Sequence, residues 1–324
     1  MSTLDALHIG EAYMNGGLDF EGDILSIIAL RSHFTDVHPL LKFWRLIIPL
    51  FSRTIKQNRK SIATHYDFDP DFYLLFLDSS RCYSQAVFCS DDEPLESAQI
   101  RKFDYAIESC RLKAGDRVLD VGGGWGSFTE YAGRKGIQVT SLTISKESEN
   151  FIAKLLKEKN LPCKVINTDF LAYECENKYD AIVVLGVMEH LPDYPAVIRQ
   201  FNYLLKPGGR IYLDASATDR KFDNPVFITR YIFPGRHSFF CLHDFMSVIA
   251  NANFEVISVI NDRINYLLTC KAWAEKLDYA HDEISSRWGE HLYRMFRIYL
   301  WGSVYGFRTK GLSAYRVVIE KYDD

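Results

Sequence analysis

Two short segments hold the residue types best suited to chemistry. Residues 117–126 read RVLDVGGGWG, and residues 182–190 read IVVLGVMEH. Glycines that follow a β-branched run let the backbone approach a ligand closely and adopt positive φ. The adjacent Glu189 and His190 offer a carboxylate and an imidazole, which are groups that transfer protons or stabilise charge. Neither segment has a serine, cysteine or lysine placed as a nucleophile.

The elements around these segments predict a parallel sheet. From residue 117 onward, amphipathic helices alternate with apolar strands that read RVLDVGG, QVTSLTI, CKVINTD, KYDAIVVLG, RIYLDAS, FEVISVIN and SAYRVVIEK. Continuously apolar strands between helices are typical of a sheet covered on both faces. We therefore predict an α/β, doubly wound, seven-stranded domain over 61–324, with a helical insert at about 262–312 before the last strand and a small helical N-terminal domain at 1–60. The helix YPAVIRQFNYLLKPGG is predicted to end at its Pro-Gly-Gly.

The strand ends supply the candidate binding residues, because ligands of such sheets bind beyond the carboxyl ends of the strands. Asp120 and the glycine loop follow the first strand, and Asp120 accepts hydrogen bonds either from a ligand or from the loop itself. The loop is not GxGxxG, so a dinucleotide site fits poorly. The second strand ends near Thr143 and Ser145 instead of the usual carboxylate. The third ends at Asp169, which either contacts an adenine amino group or caps the following helix.

Composition narrows the class of protein. The 324 residues carry a formal net charge of −4 and are 48% hydrophobic, which argues against nucleic-acid binding. Seven cysteines without CxxC spacing indicate reduced thiols, and an N-terminus without signal-peptide regions predicts a cytoplasmic protein. Residues 40–60 run from apolar to basic, so they form either an amphipathic segment on anionic lipid or a packed helix with a solvated end. The many aromatic residues fit either a well-filled core or an apolar substrate tunnel.

Several motifs together resemble known enzymes. The glycine loop, the acid after the third strand, YDAIVVLGVMEHL and LLKPGGRIYL resemble class I S-adenosylmethionine methyltransferases. Other segments resemble the cyclopropane-fatty-acid synthase family, and they are HIGEAYMNGGLD (8–19), SIATHYDFDPDFYLLFLDSSRCYS (61–84), LESAQIRKFDYAIE (95–108), RYIFPG (230–235) and YRMFRIYLWGSVYGFR (293–308). These motifs cover nearly the whole chain in the family's order.

The resemblance implies a reaction and a catalytic site. In that family, a methyl group is added to a cis double bond of an acyl chain, a carbocation forms, a proton is removed and a ring closes. A bicarbonate ion, held by Cys, Glu, His and Tyr, is the presumed base. Glu189 and Tyr266 match two of these positions. Gln85 replaces the cysteine and Asp214 replaces the histidine, and an aspartate would repel an anion, so the use of bicarbonate is doubtful. Either Asp214, alone or with Glu189, serves as the base, or the reaction differs, or Asp214 caps the next helix.

The resemblance also implies a set of residues that bind S-adenosylmethionine. The family's GCGWG reads GGGWG here, and Ser148 replaces a glutamine. The predicted cofactor-binding residues are Tyr83, Ser84, Asp120, Gly122, Gly124, Gly126, Thr143, Ser145, Ser148, Asp169 and Phe170. Aromatic side chains that would face the cationic groups are Trp125, Tyr66, Phe170 and Tyr305. No metal site is predicted.

These observations lead to one main hypothesis and three alternatives. The main hypothesis is a C-methyltransferase of the cyclopropane-synthase type that acts on an unsaturated lipid or a lipid-like alkene, with peripheral membrane contact. A homodimer is compatible with it, and a nucleic-acid partner is not expected. The first alternative is C-methylation of a non-lipid natural product without ring closure. The others are a homologue that binds without catalysis and a nucleotide-dependent oxidoreductase, which LLKPGG and the absent GxGxxG disfavour.

Overall fold

The described residues form a seven-stranded mixed sheet with helices on both faces. A computed structural model describes residues 6–30, 69–234 and 237–323. The strand order is β3-β2-β1-β4-β5-β7-β6, with β7 antiparallel to its two neighbours. The strands are β1 (Arg117–Val121), β2 (Gln138–Thr143), β3 (Lys164–Asn167), β4 (Tyr179–Leu185), β5 (Leu205–Ala217), β6 (Phe254–Asn261) and β7 (Ser313–Lys321). The predicted doubly wound, class I methyltransferase fold is confirmed.

The helices cover the sheet as the apolar strands require. They are α1 (Ala6–Met14), α2 (Ile24–Ala29), α3 (Pro70–Phe76), α4 (Leu95–Ser109), α5 (Ser127–Arg134), α6 (Lys146–Lys159), α7 (Tyr194–Leu204), α8 (Leu242–Ile249), α9 (Arg263–Tyr279), α10 (His281–Trp288) and α11 (Glu290–Arg308). Leu119 and Ile182 pack with α7 and α8, whereas Val118 and Val183 pack with α4 and α5. Successive strand residues point to opposite faces, so each strand contributes to two apolar layers.

The helical insert and the N-terminal helices share a third apolar cluster. The insert spans α9 to α11, close to the predicted 262–312, and its Trp273 and Phe296 pack in one cluster with Met14 of α1. Arg297 Nη1 donates to Tyr13 Oη at 2.9 Å, which ties α1 to α11. The separate domain at 1–60 stays a prediction, because 40–60 lies outside the described residues, as does Tyr66.

One predicted helix boundary differs in the structure. The helix predicted to end at Pro-Gly-Gly ends earlier, at Leu204, and β5 already begins at Leu205. Gly208 has φ 66°, so this glycine allows a left-handed turn of the chain at the entry to the strand.

Among the described helices, none combines the length and the apolar character that crossing a bilayer would require.

Candidate functional site

Two cavities meet at the carboxyl ends of the strands. The smaller cavity has a volume of about 660 Å³ and is lined by the glycine loop and the ends of β1 and β2. The larger cavity has a volume of about 1020 Å³ and is lined by apolar side chains of α1, α2 and α11 together with Glu189. Tyr83, Gly186 and His190 line both cavities. A group bound in one cavity can therefore meet a molecule bound in the other at these three residues.

Two glycines of the loop in the smaller cavity, Gly122 and Gly123, leave no room for side chains. Gly122 has φ 71°, and a Cβ placed there would lie 2.5 Å from Cγ2 of Val187. A Cβ on Gly123 would lie 1.8 Å from Oγ of Ser141. The loop backbone thus packs directly on β2 and on the segment after β4. This close packing exposes backbone to the cavity, as expected for a loop that holds a nucleoside or an amino-acid group.

Ten of the eleven predicted cofactor-binding residues line the smaller cavity. They are Tyr83, Ser84, Asp120, Gly122, Gly124, Thr143, Ser145, Ser148, Asp169 and Phe170. Gly126 is not among the lining residues. It precedes α5 with φ 76°, and a Cβ there would lie 3.2 Å from Leu155 and 3.3 Å from Ile152 of α6. Gly126 therefore allows α5 to begin against α6, which is a structural role.

Several polar side chains in this cavity are also bonded within the protein. Asp120 Oδ2 accepts from Thr129 Oγ1 at 2.7 Å and from Ser141 Oγ at 3.4 Å, so its carboxylate holds α5 and β2 together. Burial raises the pKa of Asp120 to about 6. Asp169 Oδ1 accepts the Leu171 N–H at 2.8 Å. This cap uses one oxygen of Asp169, which still lines the cavity, so capping and ligand contact are compatible.

Glu189 is the buried acid of the larger cavity. Its Oε1 accepts the Ser216 N–H at 2.7 Å and the Ser216 hydroxyl at 2.6 Å. Its Oε2 is buried and has no hydrogen-bond partner among the described residues. Burial raises the pKa of Glu189, and the Ser216 bonds oppose that rise. The sequence interpretation did not include Ser216, although its place at the carboxyl end of β5 was a signal for it.

Tyr266 lines the same cavity as Glu189. It lies in the first turn of α9, and its ring stacks on Phe307 at 4.8 Å between centroids. Burial raises the pKa of Tyr266 well above its usual value, and neighbouring Cys270 and Glu189 act in the same direction. The phenol therefore keeps its proton and remains a hydrogen-bond donor. Trp125 and Phe170 line the smaller cavity, and Tyr305 lines the larger one.

His190 was noted in the sequence beside Glu189 but was assigned neither to the cofactor site nor to the catalytic residues. It follows Glu189 in a single 3₁₀ turn and borders both cavities. Its ring lies edge-on to Phe233 and His237, at 5.5 and 5.3 Å between centroids. Burial lowers the pKa of His190 to about 4. A neutral imidazole at the junction places no positive charge beside Glu189.

Asp214 lies behind the site and lines neither cavity. Its side chain is 0% exposed, and its Oδ1 accepts the Gly186 N–H at 2.9 Å. Burial raises the pKa of Asp214 to about 7, Lys102 opposes this shift, and Glu189 adds to it. The role of Asp214 as a base stays a prediction, whereas the alternative of a helix cap is corrected, because the side chain bonds to Gly186. Asp214 instead fixes the Gly186 peptide that borders both cavities.

Gln85 also lies behind the site. Its side chain is fully buried, and its Nε2 donates to Asp262 Oδ2 at 2.9 Å. Asp262 is bonded as well to the Arg316 guanidinium, whose Nη2 donates to Oδ1 at 3.0 Å. Gln85 lines neither cavity, and its role as a catalytic residue stays a prediction. Of the four predicted catalytic residues, Glu189 and Tyr266 face the larger cavity.

The comparisons with known proteins agree with this geometry. Residues 53–317 match the mycolic acid cyclopropane synthetase family. The chain is 27% identical to a sphingolipid C9-methyltransferase of Candida albicans, over 96% of this chain and 65% of that protein. It is 29% identical to the cyclopropane-fatty-acyl-phospholipid synthase of Escherichia coli, over 98% of this chain and 83% of that protein. The chain thus spans about two thirds of the length of the fungal relative.

Solved structures show the same likeness. One is the mycolic acid cyclopropane synthase CmaA1, crystallised with S-adenosylhomocysteine and CTAB. It is 27% identical to this chain with a TM-score of 0.75, and the match covers 81% of this chain and 98% of CmaA1. The cyclopropane synthase MmaA2 of Mycobacterium tuberculosis is 26% identical, with the same TM-score and coverage. The resemblance inferred from the motifs is confirmed: the chain belongs to the mycolic acid cyclopropane synthetase family of S-adenosylmethionine-dependent methyltransferases.

Proposed function

We propose that this protein is a C-methyltransferase that uses S-adenosylmethionine to alkylate a double bond in the acyl chain of a lipid. One observation carries the proposal. A large apolar cavity contains a buried carboxylate, Glu189, and joins the smaller cavity at Tyr83, Gly186 and His190. An apolar chain fills such a cavity favourably, and a carboxylate whose Oε2 has no partner among the described residues suits a positive charge that forms during reaction.

The smaller cavity fits the cofactor. Its loop offers backbone at Gly122 and Gly123, where no side chain fits, and Trp125 and Phe170 offer aromatic faces. Asp169 follows the end of β3. We assign the methionine end to the glycine loop and the adenine to Asp169. S-adenosylmethionine supplies an electrophilic methyl group on a sulfonium. The chain's own residues orient this group toward Gly186 and keep water away from it, since the junction is built from backbone and rings.

Glu189 has the central role in the chemistry of the larger cavity. As the new C–C bond forms, the C–S bond breaks and the positive charge moves to the neighbouring alkene carbon. The Glu189 carboxylate stabilises this charge, and its Oε2, which has no partner among the described residues, accepts the proton that the cation loses. A proton lost from the transferred methyl group closes a ring, whereas one lost from the chain leaves a branched alkene. Glu189 therefore takes the role of base in place of Asp214.

Bicarbonate is not needed for this mechanism. Gln85 and Asp214 stand where the family resemblance implied two holders of the ion, and one side-chain atom of each is bonded inside the protein. Above its pKa of about 7, Asp214 adds a negative charge close behind the site, which disfavours a second anion. The lipid substrate is supported by the names of the relatives, a sphingolipid C9-methyltransferase and a cyclopropane-fatty-acyl-phospholipid synthase. A related structure also binds the long-chain amphiphile CTAB.

The direct test compares lipids that differ only in the double bond. Purified protein is incubated with S-adenosylmethionine and vesicles of phospholipids or sphingolipids, with either cis-unsaturated or saturated chains. We expect S-adenosylhomocysteine and a lipid heavier by one CH₂ with the unsaturated chains alone. Proton NMR of the product distinguishes a ring from a branched alkene. Equal turnover with saturated chains, or turnover only with small non-lipid alkenes, would contradict the proposal.

Asp169→Ala tests the assignment of the smaller cavity. We expect binding of S-adenosylhomocysteine to weaken by about 1.5–3 kcal/mol, the scale of a hydrogen bond to a charged group. Calorimetry measures this affinity, and circular dichroism shows whether loss of the Leu171 cap alters the fold. Asp69→Ala is a matched control, because Asp69 also caps a helix, through the Asp71 N–H at 3.0 Å, and lines neither cavity. Unchanged affinity in Asp169→Ala would remove Asp169 from the cofactor site.

A further inference from the structure

A short segment connects the linings of the two cavities. Residues 81–84 line the smaller cavity. The next four residues, 85–88, which we call the bridging segment, run along α9. Two residues of α9, Tyr266 and Cys270, line the larger cavity. The bridging segment thus continues directly from cofactor-lining residues and contacts the helix that presents Tyr266.

Three hydrogen bonds of 2.9 Å join the bridging segment to α9 and to the residue before it. Gln85 Nε2 donates to Asp262 Oδ2, the Ala86 N–H donates to Thr269 Oγ1, and the Phe88 N–H donates to Asn265 Oδ1. The three acceptors are spaced three and four residues apart, so they form one stripe along the helix. Gln85, Asp262 and Thr269 are buried. Moving α9 along the segment would leave these groups unpaired away from water, which is costly.

The same turn of α9 holds Tyr266. The Tyr266 N–H donates to the Asp262 carbonyl at 2.9 Å, and the Asp262 side chain is anchored to Arg316 of β7. Tyr266 and Cys270 lie one position beyond Asn265 and Thr269, so they form a neighbouring stripe that faces the larger cavity. The position of Tyr266 is therefore set by the hydrogen bonds to the bridging segment and to β7.

We propose that the bridging segment couples the two cavities, with Gln85 and Thr269 as positioning residues for Tyr266. This inference rests on the proposed function. A cofactor that packs against Tyr83 and Ser84 restrains the segment that follows them, and the three hydrogen bonds pass this restraint to α9. Binding in the smaller cavity then holds Tyr266 in place and favours binding in the larger cavity. By thermodynamic linkage, each ligand increases the affinity for the other by the same factor.

The test measures this factor with two defined probes. Calorimetry gives the Kd of S-adenosylhomocysteine alone and with saturating hexadecyltrimethylammonium, kept below its micelle concentration. In the unaltered protein we expect the amphiphile to lower that Kd by about 5-fold or more, the lower end of typical coupling. Thr269→Val removes the acceptor for Ala86 but keeps the side-chain shape, and Gln85→Met removes the donor to Asp262. In both variants we expect each ligand on its own to bind with an unchanged Kd. The coupling factor between the two ligands should fall below about 2-fold.

A steady-state measurement distinguishes positioning from general loosening. With an unsaturated lipid, Thr269→Val and Gln85→Met should lower kcat by about 10-fold, as expected for a displaced active-site group. KM for lipid at saturating S-adenosylmethionine should rise only by the coupling that is lost, about 2.5-fold. Tyr293→Phe is the matched control: it removes the 2.9 Å bond to Asp278 between α11 and α9, and Tyr293 lines neither cavity. This control should keep the factor and kcat of the unaltered protein.

The outcomes separate the inference from the proposed function. No binding of S-adenosylhomocysteine would refute the proposed function and this inference together. Binding of both probes without mutual effect, or an undiminished factor in Thr269→Val and Gln85→Met, would refute the inference and leave the proposed function intact. A loss of coupling in Tyr293→Phe equal to that in the two variants would also refute it, because the effect would then belong to α9 packing in general.

Discussion

Glu189→Gln is expected to lower kcat on an unsaturated lipid by about 10²–10³-fold, the usual cost of removing a group that stabilises developing charge or accepts a proton. The amide keeps an oxygen to accept both Ser216 donors, which lie at 2.7 and 2.6 Å, so the side chain should stay in place. The substitution removes only the negative charge of this side chain from the apolar cavity. Because Glu189 lines the larger cavity and not the smaller one, the Kd of S-adenosylhomocysteine should not change.

Ser216→Ala provides the matched control for this result. It removes the hydroxyl donor to Glu189 Oε1 and leaves the backbone N–H donor. A hydrogen bond to the charged form lowers a carboxyl pKa, so its loss should raise the pKa of Glu189 further. The acid limb of the kcat/KM profile should therefore move to higher pH in Ser216→Ala and be absent in Glu189→Gln. Normal turnover by Glu189→Gln, or an unmoved profile in Ser216→Ala, would contradict the role of Glu189.

The fold could be predicted from the sequence because the patterns that indicate its strands and helices are local. The runs FEVISVIN and SAYRVVIEK correspond residue for residue to β6 and β7. Apolar periodicity, helix-stopping glycines and the glycine loop each act over a few residues. Glu189 and Tyr266 were assigned in another way, because they match positions of the cyclopropane-fatty-acid synthase family, which the motifs resemble. The placement of these two in one cavity followed from the fold.

How deep a residue lies below the cavity could not be predicted from the sequence. Period-two alternation puts Asp214 and Ser216 on the same face of β5, but it does not say which one reaches the rim. In the structure Ser216, next to the end of the strand, contacts Glu189, whereas Asp214 lies one step deeper and bonds to Gly186. Gln85 lies in a segment without periodicity, and its partner Asp262 is 177 positions away. Such pairings depend on tertiary contacts that no local pattern encodes.

Asp214→Asn is expected to stabilise the protein more at high pH than at low pH. Burial raises the pKa of Asp214 from 3.8 to about 7, with Glu189 and Asp262 adding to the rise and Lys102 opposing it. Between these two values the folded protein keeps a proton that the unfolded chain releases. The free energy of unfolding of the unaltered protein therefore falls as pH rises from about 4 to 7. The variant does not lose stability in this way. The gap between the two free energies of unfolding should therefore change by about 4 kcal/mol over this pH range, at 1.36 kcal/mol per pKa unit.

The asparagine keeps an oxygen for the Gly186 N–H, which donates to Oδ1 at 2.9 Å, so the two cavities should retain their shape. Denaturant unfolding of both proteins at several pH values measures the difference in free energy of unfolding, which should grow between pH 4 and 7 and level off above. Since Asp214 lines neither cavity, kcat of the variant should stay within about 10-fold of the original, well short of the loss of a general base. Turnover of both proteins should be the same with and without added bicarbonate. A fall of 10²-fold in a folded Asp214→Asn protein would instead return Asp214 to the role of base, and a requirement for bicarbonate would mean that Glu189 Oε2 holds an ion rather than taking the proton itself.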